Sequence, residues 1–398
     1  MKYLKLFENH TEYEAFKQTD GFIKPNVSHC IQENEVHYTV PIDWGKEYFT
    51  IESLEDNNKI YLKAPNTSIT KTVSAATDNG ETWVEYTSST GGSGTTLATL
   101  NRGDRLLIKG ENSAYATSSN QNQFKSTKQF EVKGNIMSLI SGDSFANADE
   151  LTASYTFYRL FEQCDKLKSA ENLILPATTL TESCYRNMFK GCTSLTTAPA
   201  LPTTTLAQSC CASMFNDCTS LTSAPELPST TLENYCYRDM FNGCTSLTTA
   251  PALPATTLAQ ACYGGMFWGC TSLTTAPALP TTTLANYCYN SMFRDCTSLT
   301  SAPELPATTL TEWCYEDMFN GCTNLTTAPQ LPATTLASNC YNGMFRDCTS
   351  LTEVSIVPNS VKPVSSAYCC SMYQNCNVQR SSDYDSVAYD GCGGGSSD

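Results

Sequence analysis

A 26-residue period runs through the C-terminal half of this chain without insertion or deletion, and it limits the possible folds more than any other feature. The dipeptide Met-Phe recurs at Met188, Met214, Met240, Met266, Met292, Met318 and Met344. A representative unit, CTSLTTAPALPATTLAQACYGGMFWG, begins at Cys244. A unit this short cannot bury an apolar face alone, but it can when stacked on its own copies, so the period implies a solenoid. An extended stacked surface suits binding better than catalysis.

Within a unit, Leu195, Ala198, Leu201, Leu206, Cys210, Met214, Phe215 and Cys218 mark the inward positions. LTTAP reads as a short strand pairing in parallel with its copies. Pro199 and Pro202 then turn the chain, TTL is a second extended piece, and Leu206 through Phe215 has the spacing of one or two helical turns. Strand, turn and short helix make a leucine-rich-repeat coil, and some nine coils would span roughly 40 Å at about 4.8 Å per rung. The end units are irregular. Leu160-Phe161 lies 28 residues before Met188-Phe189, and Met372-Tyr373 lies 28 after Met344-Phe345, as expected of caps that shield the open ends.

Cysteine is abundant, at 21 residues, and recurs in phase with the repeat, as in Cys236/Cys244, Cys262/Cys270 and Cys288/Cys296. Columns of small, buried, reduced thiols fit this pattern, with a disulfide-bonded scaffold as the alternative. Zinc is disfavoured, because C-x7-C lacks the usual ligand spacing and all three histidines (His10, His29, His37) precede the repeats. Neither a metal nor a cofactor is expected.

Upstream of the repeats, 1–45 reads as an N-terminal attachment segment with a capped helix at Thr11–Phe16 and an extended piece, EVHYTV, from Glu35. Residues 46–135 carry seven strand-like runs: YFTIESLE, KIYLKA, TKTVSA, WVEYTS, TTLATL, RLLIKG and KQFEVKG. Broken by Asp78-Asn79-Gly80, Gly91–Gly94 and Gly110, they suggest a β-sandwich of immunoglobulin-like type. Residues 136–154 read as a linker, 155–376 as the solenoid with its caps, and 377–398 as a flexible Gly/Ser-rich tail. Both halves are acidic, with 14 basic against 20 acidic residues over 1–150 and 10 against 19 over 151–398. Nucleic acid and anionic membrane are therefore not expected as partners. The first residues, MKYLKLFENHTEYEAF, lack the apolar core of a signal peptide, so synthesis and folding in a cytoplasm are expected.

The unit C-x2-L-x2-A-P-x-L-P-x-T-T-L-x3-C-Y-x2-M-F-x-G/D resembles the BspA-like leucine-rich repeat, whose pattern runs L-x2-I-x-I-P, V-x2-I, A-F-x2-C. It departs from that pattern in its 26-residue length and in Met-Phe for Ala-Phe. The openings KLFENHTEYEAF and KPNVSHCIQENEVHY, with GNIMSLISGDSF, resemble N-terminal modules of proteins from crAss-like gut bacteriophages and their hosts. That second resemblance implies a virion-associated or surface protein. On it, the N-terminal module would contact other virion proteins.

Motifs of chemistry are sparse. ATDNGETW at Ala76–Trp83 is close to the Asp-box of sialidases, a hairpin support, and a single copy reads as structure. Arg102-Gly103-Asp104 spells an integrin-type tripeptide where a turn is expected, and Asn26-Val27-Ser28 fits a glycosylation acceptor. Asp217, Asp295 and Asp347 stand where other units have Gly and read as turn residues. There is no Ser/His/Asp set, phosphate loop or paired-carboxylate motif, so an enzyme is not expected. What varies between units gathers around the short-helix stretch, where Tyr235, Arg238, Trp268, Tyr287, Arg294, Trp313 and Arg346 are the candidate ligand-binding residues. The rival face is the Thr column (Thr196, Thr197 and equivalents). The resulting expectation is a non-enzymatic phage virion protein, a tail fibre or capsid decoration, whose solenoid binds a host surface glycan or protein. A structural virion spacer and a bacterial surface adhesin are the alternatives, and a homo-oligomer fits any of the three.

Overall fold

The computed structural model describes residues 6–7, 30–33, 36–39, 43–66, 70–90, 92, 94–201, 205–353, 355, 358–361, 364–379 and 382. The expected helix at 11–16 and the tail from 383 lie outside these residues. Near the N-terminus, strands β1 (Leu6–Phe7), β2 (Cys30–Glu33) and β3 (Val36–Thr39) form a small sheet, and β3 falls on the expected EVHYTV piece.

Each of the seven expected strands of the next region is present: β4 (Phe49–Ser53), β5 (Asn58–Lys63), β6 (Thr72–Ala76), β7 (Val84–Thr87), β8 (Thr95–Leu100), β9 (Arg105–Lys109) and β11 (Phe130–Asn135). Two more were not expected, β10 (Gln123–Ser126) and β12 (Leu167–Ile174). The order β10-β5-β8 makes one sheet and β12-β11-β4-β9-β6-β7 the other. Their apolar faces meet through Phe49, Ile51, Ile60, Leu62, Leu106, Ile108 and Phe124, all essentially inaccessible to water. The region is thus an all-β module of two packed sheets.

Its larger sheet does not stop at the module boundary. β12, the first strand of the solenoid, pairs in parallel with β11. Residues 136–154, expected as a linker, form a short helix at Ser138–Ser141 and a 3-10 helix at Gly142–Asn147, with Ile136, Met137, Leu139 and Phe145 buried. The connection is packed, because these apolar side chains close the end of the sandwich against the first coil.

Inside the repeats the expected helix is replaced by a row of β-turns. In one unit the N–H groups of Cys184, Arg186, Met188, Lys190 and Cys192 donate to the carbonyl three residues back, at 3.0–3.3 Å. The alternate N–H groups, of Ser183, Tyr185, Asn187, Phe189 and Gly191, donate to carbonyls of the next coil at 2.7–3.1 Å. Half of the backbone is therefore satisfied as in turns and half as in a parallel sheet. The row has a period of four, so Tyr185, Met188, Phe189 and Cys192 are buried while Arg186 is exposed and Lys190 half-buried. Every fourth residue takes a positive φ, as at Ser183 (54°), Asn187 (56°) and Gly191 (71°). The expected LTTAP and TTL strands shrink to single parallel bridges, such as Thr249 to Thr275 and Thr231 to Thr257. Proline on either side has no N–H to extend them.

Stacking aligns like with like. Phe161, Phe189, Phe215, Phe241, Phe267, Phe293, Phe319, Phe345 and Tyr373 form one column, with centroids 5.4–5.8 Å apart and planes within 8°. Phe124 of the sandwich stacks on Phe161, so the column begins in the N-terminal module. Removing one ring deletes two stacked contacts and leaves a cavity. Phe241→Ala is expected to cost about 3–5 kcal/mol, measured by urea denaturation.

Cysteine plays a hydrogen-bonding role in this core. The thiols of Cys192, Cys218, Cys244, Cys270, Cys296, Cys322 and Cys348 each lie 3.0–3.2 Å from a phenylalanine carbonyl of the preceding coil, placed to donate to it. These cysteines and their partners in the second column are free and buried, as the in-phase pattern implied. Cys370, beside the last rung, is disulfide-bonded. Burial pushes the Cys270 thiol up to about 12 and that of Cys262 to about 11. A thiol that holds its proton more tightly in the fold stabilises it below the ordinary value near 9, and that contribution is lost as pH rises toward 11–12. The urea midpoint should therefore fall between pH 9 and 11. A Cys244→Ala/Cys270→Ala variant, less stable at pH 7, should lose less over that interval.

Candidate functional site

The turn row presents outward positions that change from unit to unit. Just outside the buried Cys-Tyr-x-x-Met-Phe-x-x-Cys frame, it displays three outward columns. The first contains Ser183, Ser209, Tyr235, Ala261, Tyr287, Trp313 and Asn339; its three aromatics are candidate residues, while Ser183, Ser209 and Ala261 are small and buried. Tyr235, Tyr287 and Trp313 hold positive φ values of 59°, 60° and 58°. Tyr287 and Trp313 stack at 5.8 Å with planes 5° apart, both half-buried.

The seven candidate residues divide into two groups. Tyr235, Arg238, Tyr287 and Trp313 belong to one patch. Arg238 is exposed, lies 5.8 Å from the Tyr235 ring centroid and pairs with Asp239 at 3.3 Å. Burial raises the Asp239 carboxyl above its usual range, against the opposing pull of Arg238. The second group, Trp268, Arg294 and Arg346, is tied up internally. Trp268 Nε1 donates to Asp295 at 2.9 Å, and the Arg294 guanidinium lies 4.9 Å from the Trp268 ring centroid. Arg294 also reaches Asp317 at 3.0 Å, and Arg346 approaches the same carboxylate at 3.7 Å. Side chains spent on one another are poorer ligand anchors than the first group.

Sequence reasoning passed over the residues that give the first patch its shape. Ala261 and Gly264 leave a depression of about 380 Å³ lined also by Tyr235, Arg238, Gln260, Tyr287, Asn290 and Glu316. Glu316 accepts from Asn290 Nδ2 at 2.6 Å and from Asn342 Nδ2 at 3.0 Å, and burial raises its carboxyl. The signal was a pair of small residues, Ala261 and Gly264, in the coil between those of Tyr235 and Tyr287.

The sandwich motifs resolve into structure. Asp78 accepts from the Thr82 N–H at 2.9 Å, which holds its carboxyl below the usual range, and Trp83 packs edge-on against Tyr48. Asp104 of the Arg-Gly-Asp tripeptide accepts from the Asn101 N–H at 2.8 Å within a turn. A further depression, of about 410 Å³, is bordered by Lys109 and Asp143, which pair at 2.7 Å, with Tyr48 donating to the same Asp143 oxygen. Among the described residues no cluster of His, Cys, Asp or Glu is arranged to hold a metal ion. No described helix is long and apolar enough to cross a membrane.

The recurring aspartates are turn residues, as expected: Asp217, Asp295 and Asp347 have φ of 57–60°. Each leans over the next coil. A Cβ on Gly243 would sit 2.4 Å from Asp217 Oδ1, and one on Gly321 2.1 Å from Asp295 Oδ1. In these pairs the glycine after the aspartate combines a positive φ with the missing Cβ, whereas Asp347 is followed by Asn375, whose Nδ2 donates to Asp347 Oδ1 at 2.6 Å. Gly243→Ala should cost about 2–3 kcal/mol. In an Asp217→Ala background the cost should fall to about 1 kcal/mol, that of the left-handed backbone alone, as read by thermal denaturation.

The description "BspA type Leucine rich repeat region" matches the chain in six copies, over residues 120–248, 154–299, 229–328 and 267–392. No curated protein matches the chain. The matched segments cover the last strands of the sandwich together with every 26-residue unit, which is more than half of the sequence. The chain belongs to the BspA-type leucine-rich repeat family.

Proposed function

We propose that this chain is a non-enzymatic binding protein of a phage particle, whose solenoid contacts a host surface glycan or protein through its turn-row face. One observation carries the binding reading: three large aromatics, Tyr235, Tyr287 and Trp313, occupy left-handed backbone positions. Bulky side chains are disfavoured there, whereas Gly and Asn are tolerated. Unconstrained drift would fill such positions with the cheaper residues found in equivalent slots elsewhere in the row, such as Asn187, Gly191 and Asn339. Strained positions held by recognition-type side chains mark functional surfaces. Setting the protein in a virion rests on the likeness of its N-terminal segments to phage modules. The sandwich is read as immunoglobulin-like because β5 pairs with β8 while β6 pairs with both β7 and β9. β4 beside β9 departs from that scheme.

A structural spacer is the second reading, favoured by the self-contained Trp268–Asp295–Arg294–Asp317 cluster. Replacing Tyr235, Tyr287 and Trp313 together by Ala should reduce attachment of the labelled full chain to gut bacterial cells by at least tenfold. The fold should be retained, with a stability change limited to about 1–2 kcal/mol for the lost stacking. Trp268→Ala should leave attachment intact and act on stability alone. Normal attachment by the triple variant would transfer the protein to the spacer reading. Detection of the chain in purified particles by mass spectrometry tests the virion setting separately.

A further inference from the structure

The first outward column has a gap between two of its rings. Tyr235 stands on one side of it and Tyr287 on the other, two coils apart, and between them the column holds only Ala261, with Gly264 as the floor. One face of Tyr287 is covered by Trp313, and its other face turns toward the gap. Adjacent rings in this column lie 5.8 Å apart, so the walls of the gap are separated by two such steps, enough for one ring-sized guest touching both. Apart from the two rings and Ala261, every residue lining the notch is polar or glycine.

We propose that this notch binds a single pyranose ring, the terminal or branch sugar of a neutral glycan. The proposal rests on the surface-binding reading above and names its ligand. A pyranose has C–H faces that pack on aromatic rings and an edge of hydroxyls that donate and accept hydrogen bonds. The notch offers that combination: ring walls, and a polar rim including Arg238, Gln260 and Asn290. Glu316 accepts one Asn290 N–H, which orients the amide that lines the notch. An aromatic side chain of a partner protein would fill the same width but leave those polar groups desolvated and unpaired, a costly exchange. An anionic group would meet the Glu316 carboxylate, and the cation lining the notch, Arg238, already pairs with Asp239 at 3.3 Å. A notch one ring deep gives weak single contacts, so useful attachment requires several copies or a multivalent surface.

The test completes the column. Ala261 already has a left-handed backbone (φ 49°), and Tyr is carried at that φ region in the coils two units apart. Ala261→Tyr therefore fills the notch with a side chain the column accepts. Gly264, whose added Cβ would meet its neighbours at ordinary distances of 3.5 Å or more, supplies a second variant, Gly264→Asn, should the first not fold. The full chain is applied to an array of oligosaccharides ending in neutral hexoses or N-acetylhexosamines. Wild type should bind a subset of them, and each filled variant should lose at least tenfold of that binding while remaining folded. Sugar binding unchanged by filling would overturn the notch and leave the surface reading standing, with the sugar elsewhere on the face. Attachment to cells without binding to any arrayed sugar would also overturn the notch and point to a protein ligand. Absence of both would remove the notch and the surface reading together.

Discussion

Everything in the solenoid depends on how the turn row distributes its backbone hydrogen bonds. Alternate N–H groups are committed within a coil and the remainder to the next coil, so neither set alone is enough to hold the row. A helix would satisfy all of them internally and leave nothing to align one coil with the next. Here the alignment is built into the backbone, and the residue-for-residue columns of Phe, Met, Leu, Tyr and Cys follow from it. The cost is a left-handed residue every fourth position, which explains why Ser, Asn, Asp and Gly crowd those slots.

The side chains then complete what the backbone leaves open. The phenylalanine carbonyl takes a turn N–H from its own coil and a thiol from the next: Phe215 O lies 3.0 Å from Cys218 N and 3.1 Å from Cys244 Sγ. Cysteine suits this position because it is small and apolar enough for the core and still carries a weak donor. Reading the many cysteines as a scaffold of covalent links would therefore mistake their role, which depends on the proton they retain. The tyrosine column is less complete. Cys211 stands where the other units place Tyr, and the hydroxyls of Tyr185 and Tyr263 are buried without a hydrogen-bond partner.

Much of this was legible in the sequence. The 26-residue period identified the stack, and the inward positions at Leu195, Leu206, Met214, Phe215 and Cys218 proved buried. The helix was misread for a definable reason: Cys-Tyr-x-x-Met-Phe-x-x-Cys repeats every four residues, close enough to 3.6 to pass for one or two helical turns. The true signal was the left-handed-tolerant residue recurring at the same interval. β12 escaped because LKSAENLI lacks strong alternation and draws its stability from pairing with β11, a long-range contact no local pattern records. In the candidate surface, the aromatics were visible as variation. Which of them were free could not be read, because the partners that occupy Trp268 and Arg294 come from coils 23 to 27 residues away. The notch was hidden for a different reason: it is made by the small residues Ala261 and Gly264, which act through the bulk they lack.

The continuous sheet across β11 and β12 has a mechanical consequence. With the intervening residues buried and the phenylalanine column starting from Phe124, there is no hinge between the sandwich and the coils. The module and the rod behave as one lever. Whatever grips the sandwich therefore sets the direction in which the turn-row face looks, and a load applied to that face is carried back through strand pairing instead of being absorbed by a loose joint.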